Sequence, residues 1–118
     1  MKKRIRLHKR NRPGNFRTFE EAYNLSGALV KIAADFNTVV IDCLTLFVSN
    51  LMLKNRKEGE ILKELDKILI LLTKKNIKAI IVSNEVGLGI VPHTKLGRVF
   101  RDIAGKVNQT VARSADRV

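Results

Sequence analysis

"EGEILKELDKILILLTKKNIKAIIVSN", residues 58–84, holds two periods in one stretch. Over 58–76 the apolar residues Ile61, Leu62, Leu65, Ile68, Leu69 and Leu72 recur at three- and four-residue spacings, which gathers them on one face of a helix. Asn76 marks its stop. From 78 the pattern becomes a short continuous apolar run, Ala79 to Val82, which reads as a strand over 78–84. A strand apolar on successive residues is the kind buried on both faces of a parallel sheet.

Outward from this unit, "TVVIDCL", 38–44, is a second β-branched run of the same kind, and "TLFVSNLMLKN" after it reads as helical. "TFEEAYNLSGALVKIAADF", 18–36, predicts a helix. Thr18 and Glu21 have capping-box spacing, and Phe19, Tyr23, Leu29, Val30 and Ala33 share part of a face, with Gly27 an interruption. "TKLGRVFRDIAGKVNQTVARSADRV", 94–118, predicts a long helix with Leu96, Val99, Phe100, Ile103, Ala104, Val107 and Val111 on one side. Strand, helix, strand, helix is a βαβ arrangement, so residues 1–118 are expected to form a single α/β domain with a helix-covered parallel sheet. Two strands are too few to complete an open sheet.

Composition narrows the class. Apolar residues make up 45% and charged residues 29%, the proportions of a folded soluble protein. The longest apolar run is far short of a membrane span, and the basic start has no apolar signal core behind it, so a cytoplasmic location is expected. The single cysteine, Cys43, lies in an apolar run and is expected to be a buried, inert thiol. Lysine and arginine outnumber acids 23 to 11, a net charge of +12. Lys2, Lys3, Arg4, Arg6, Lys9, Arg10, Arg12 and Arg17 all fall in residues 1–17, which hold no acid. Such a run favours a polyanion: nucleic acid, acidic lipid or a nucleoside triphosphate. Only Phe16 and Phe19 lie nearby to stack bases, and Pro13-Gly14 breaks the run with a turn.

Ligands of parallel α/β sheets bind beyond the carboxyl ends of the strands. Asp42 and Glu85 sit there, and a carboxylate in that position can hold Mg²⁺ beside a nucleotide's phosphates. Asn84 and Glu85 lead into a loop that Gly87 and Gly89 relax, letting main chain approach a ligand. His8 stands among Arg6, Lys9, Arg10 and Arg12, which favour an uncharged imidazole with a free lone pair and draw phosphate oxygens towards it. That company suits attack on phosphorus. His93 follows Pro92 without comparable neighbours, and no zinc-type Cys/His spacing occurs.

"RIRLHKRNRPGNFRTFEE" (4–21), "VIDCLTLFVSNLM" (40–52) and "IVSNEVGLGIVPHTKLGRVFRDIAGKVNQTVARSADRV" (81–118) together resemble the bifunctional adenosylcobinamide kinase / adenosylcobinamide-phosphate guanylyltransferase family of cobalamin biosynthesis. The resemblance implies a P-loop NTPase-like, RecA-like α/β fold with a mostly parallel sheet. It also implies GTP and Mg²⁺, adenosylcobinamide or its phosphate as the acceptor, and a homo-oligomer. By motif, His8 matches the histidine that takes GMP, Lys9, Arg10, Asn11 and Arg12 the nucleotide-contacting stretch after it, and Glu20 and Asp42 two nucleotide-site acids. Phe16 stands where the family has tryptophan, and His93 has no family counterpart.

The chain departs from the family in one respect. The family opens with a strand and a glycine-rich phosphate loop ending in Gly-Lys-Ser, and no G-x-x-x-x-G-K-[ST] run occurs here. The sheet is therefore expected to be incomplete at its N-terminal and C-terminal strands, kinase activity is not expected, and a partner chain would supply the segment. The alternative expectation is a non-catalytic truncated fragment, or a basic module that binds nucleic acid or protein.

Overall fold

The computed structural model describes residues 2–118. In chain order the elements are α1 (Lys2–Arg10), α2 (Leu25–Ile32), β1 (Thr38–Asp42), α3 (Leu44–Leu53), α4 (Glu58–Lys74), β2 (Lys78–Val82) and α5 (Lys95–Ser114). The strands pair in parallel, in register from Thr38 opposite Lys78 to Asp42 opposite Val82. Helices α3 and α4 make the crossover between them, as parallel pairing requires. Among the described residues no helix is long and apolar enough to cross a membrane.

The core is organised by α4. Ile61, Leu65, Ile68 and Leu72 are its buried residues, four positions of the predicted stripe. They join Leu29 of α2, Leu44, Phe47, Val48 and Leu51 of α3, Ile103 and Val107 of α5, and Ile41 and Ile77. At the start of α4 the Lys57 amide donates to Glu60 Oε2 at 2.8 Å, and Arg56 Nη1 donates to Oε1 at 2.8 Å. The Lys57 amide first, and Arg56 second, hold the Glu60 carboxyl below the usual carboxylate range. A carboxyl lowered in this way contributes to stability above its unfolded-state value, and the contribution is lost as pH falls through the folded one. Helix α5 starts on Thr94, whose Oγ1 accepts from the Gly97 amide at 3.0 Å. Thr94→Ala should cost about 1 kcal/mol and lower the thermal midpoint by about 4 °C, followed by far-UV circular dichroism.

Several boundaries differ from the sequence reading, each for a local reason. The helix expected over 18–36 is confined to Leu25–Ile32. Thr18 accepts a bond from Arg12 instead of capping, Glu21 Oε1 accepts from the amides of Asn24 and Tyr23, and Asn24 Oδ1 caps α2 by accepting from Gly27. The first strand stops at Asp42 because Cys43 is already the N-cap of α3. Cys43 itself is half-buried, not buried. The last helix ends at Ser114. The basic N-terminal segment is helical over Lys2–Arg10 and buries none of its residues.

The strands are also not buried on both faces. Ile41, Val39, Ala79 and Ile81 pack towards the core, whereas Val40 and Ile80 on the opposite face are 49% and 53% exposed. The helices thus cover one side of the sheet, and the continuous apolar runs in the sequence leave the other side apolar and open.

Candidate nucleotide site and the strand-end network

Parallel pairing in register brings the chain out of β1 and β2 at the same edge, and a polar network ties the two exits together. Thr45, buried in the first turn of α3, accepts a hydrogen bond through Oγ1 from the Asn84 amide at 2.8 Å. Its hydroxyl also lies 3.4 Å from that of Ser83. Ser83 Oγ donates to Asn108 Oδ1 of α5 at 2.6 Å, and Asn108 Nδ2 donates to the Asn84 carbonyl at 3.3 Å. The main-chain groups that β2 would have offered to a further strand residue are taken by side chains here, which is why the strand ends at Val82. Thr45→Val keeps the shape and removes the acceptor, leaving the Asn84 amide without its partner. A loss of about 1–3 kcal/mol is expected, measured as a lower urea midpoint.

Beyond the network, Glu85 Oε1 accepts from the Gly87 amide at 2.6 Å, folding the carboxylate back on its own loop. The far end of the loop is held by Arg98, whose Nη1 donates to the carbonyls of Pro92 at 3.1 Å and His93 at 2.8 Å. Asp42 is exposed at the end of β1.

A second group forms around the end of α1. His8, Lys9 and Arg10 occupy its last turn. Lys9 Nζ pairs with Glu20 Oε1 at 3.0 Å, and Arg12 donates to the Thr18 hydroxyl, so two bonds strap the helix end to residues 18–20. Beside the strap lies a shallow cavity of about 510 Å³ lined by Gly14, Asn15, Phe16, Arg17, Asp35 and Phe36. Phe36 meets Phe19 edge-on, with centroids 6.1 Å apart, and the Arg17 guanidinium lies 5.8 Å from the Phe36 centroid. A second open cavity, of about 580 Å³ between Tyr23, Lys54 and Glu60, contains none of the candidate site residues named from the sequence.

Lys9 and Glu20 are therefore brought together, as are Glu85 and Gly87. Among the described residues no hydrogen bond or ion pair joins His8 to Asp42 or Glu85, and none of the three lines either cavity described above. No cluster of three or more His, Cys, Asp or Glu residues capable of holding a metal ion occurs among them either. Sequence reasoning missed Thr45, Ser83 and Asn108. The first two carried a signal, a hydroxyl residue just past each strand end, whereas nothing marked Asn108 beside the buried Val107.

The sequence blocks that hold these residues match a known family along their whole length. The family of cobinamide kinase / cobinamide phosphate guanyltransferase matches residues 1–118. The chain belongs to this family. Among its relatives is the bifunctional adenosylcobalamin biosynthesis protein CobU of Salmonella typhimurium, 35% identical over 130 residues. The match takes in 100% of this chain and 72% of the relative. CobU of Escherichia coli is 35% identical over 133 residues, again with 100% and 72% covered. The bifunctional adenosylcobalamin biosynthesis protein CobP of Pseudomonas aeruginosa is 37% identical over 121 residues, with 100% of this chain and 68% of the relative covered.

Proposed function

We propose that the chain is a nucleotidyltransferase of cobalamin biosynthesis, moving GMP from GTP to adenosylcobinamide phosphate by way of His8. The observation that carries this reading is the position of His8. It lies on a solvent-exposed cationic helix whose end is fastened to Glu20 and Thr18, inside a family match that spans the chain. A ring nitrogen of His8 attacks the α-phosphorus of GTP. The N–P bond forms as the bond to the bridging oxygen breaks, and pyrophosphate leaves with that electron pair. A phosphate oxygen of the acceptor then attacks the same phosphorus, and the N–P bond returns its pair to the imidazole.

Lys9, Arg10 and Arg12 offset charge on the phosphates, the Asn11 amide donates to their oxygens, and Glu20 fixes Lys9 in place. A Mg²⁺ ion would be held by Asp42 with the phosphates and water. The exposed carboxylate is a hard oxygen donor of the type this ion takes, and the ion would supply neutralising charge. Asn84, Glu85, Gly87 and Gly89 belong to the loop at the rim of this site. The parallel pairing with a helical crossover supports a P-loop NTPase-like fold in one domain, 1–118. The open apolar sheet face supports a homo-oligomer or a partner chain that completes the sheet.

The test is incubation with Mg²⁺ and GTP labelled at the α-phosphorus. Acid-labile, alkali-stable label on the protein supports the reading, and γ-labelled GTP should leave none. The competing reading, a basic binding module, calls for no label and for RNA binding that falls steeply with salt.

A further inference from the structure

The loop between β2 and α5 carries apolar side chains that nothing in the fold uses. Leu88 is 92% exposed, Ile90 93% and Val91 58%. Leu96 and Val99 expose further apolar surface on the first turns of α5. Three strongly exposed aliphatic residues within one short loop mark a place where something binds. The placement narrows what that is. The loop leaves the sheet at the strand-end network and returns at the Arg98 clamp, so both ends are fixed while the aliphatic tip stands free. It also stands at the carboxyl end of β2, the side of a parallel sheet on which substrates sit.

We infer that Leu88, Ile90 and Val91 form an apolar platform for the corrin ring of the acceptor. This rests on the reading above and names the part of the site that takes the corrinoid. The GMP acceptor is a phosphate tethered to a broad macrocycle with methyl-bearing, largely apolar faces and an amide rim. A cationic histidine helix suits the triphosphate and offers nothing to such a face, whereas three aliphatic side chains on a pinned loop do. Asn84 lies at the loop's root, where its side-chain amide can hydrogen-bond the amide rim.

The experiment measures cobinamide binding by equilibrium dialysis, on the full chain and on Leu88→Ser/Ile90→Ser. Both side chains are exposed, so the double variant should fold. Leu88→Met/Ile90→Met keeps the apolar surface, and Leu53→Ser removes a comparably exposed leucine at the end of α3. The serine pair should weaken cobinamide binding by about 30-fold, as expected when two aliphatic contacts are lost. The methionine pair and Leu53→Ser should bind as the parent does. Unchanged binding in the serine pair, no binding by the parent, or an equal loss in Leu53→Ser would each overturn the platform. Self-labelling from α-labelled GTP needs no corrinoid and is read separately. Loop-dependent cobinamide binding without label would leave the platform standing and remove the guanylyl transfer.

Discussion

His8→Ala is expected to abolish covalent labelling from α-labelled GTP, a fall of about 10³-fold or more. The size follows from the role: a nucleophile has no partial substitute. The other histidine, His93, sits in the loop between β2 and α5 and bears no such ring of cations, so His93→Ala should retain the label. Folding does not complicate the comparison, because α1 buries no residue and truncating an exposed side chain there removes no core contact. Thermal midpoints of the three proteins should coincide. Label surviving in His8→Ala would place the nucleophile elsewhere and end the proposed chemistry. The Lys9–Glu20 pair makes a useful graded companion. Both partners are largely exposed, so breaking it should leave stability almost untouched while loosening the segment after the nucleophile.

Ile68→Ala should produce the largest loss of stability of any single truncation in α4. Ile68 is 0% exposed and lies midway along the stripe that α2, α3 and α5 pack around. Removing its outer atoms forfeits their transfer free energy and leaves a cavity that rigid neighbours cannot close, together about 2–5 kcal/mol. A domain of this size has about 5–15 kcal/mol in total, so the variant should approach the folding limit. Ile70→Ala, two residues along the same helix on its exposed side, should cost almost nothing. Urea titration separates them: the midpoint should drop for Ile68→Ala at unchanged slope and hold for Ile70→Ala.

How much of this was legible from the residues differs by element. Helix α4 was fully so, because its buried positions repeat at helical spacing with no competing signal. Both strands were placed to within two residues, but their covering was misjudged. An apolar run records what a strand tolerates on each face, not whether a helix is there to cover it. Helix α1 escaped notice because its only large aliphatics, Ile5 and Leu7, are two apart and mark no helical face. The stretch 18–23 looked helical until its polar side chains turned out to bond locally. Of the proposed site, the strand-end positions pointed to Asp42 and Glu85 and the local charge to His8, while the roles proposed for Lys9 to Arg12 and for Glu20 came only with the family resemblance. The hydroxyl-amide network was out of reach, because it depends on Asn108 arriving from the last helix.

A sheet of two strands consists entirely of edges. Along the outer side of both β1 and β2 a ladder of main-chain donors and acceptors faces away from its neighbour, next to the bare valine and isoleucine surface. How firmly the molecule holds together is then set by its surroundings as well as by its own packing. A binder of that ladder present at a hundred times its dissociation constant adds about 2.7 kcal/mol by mass action alone. Should the proposed copy or partner pair with that ladder, melting temperature becomes a property of the mixture, and dilution a mild denaturant.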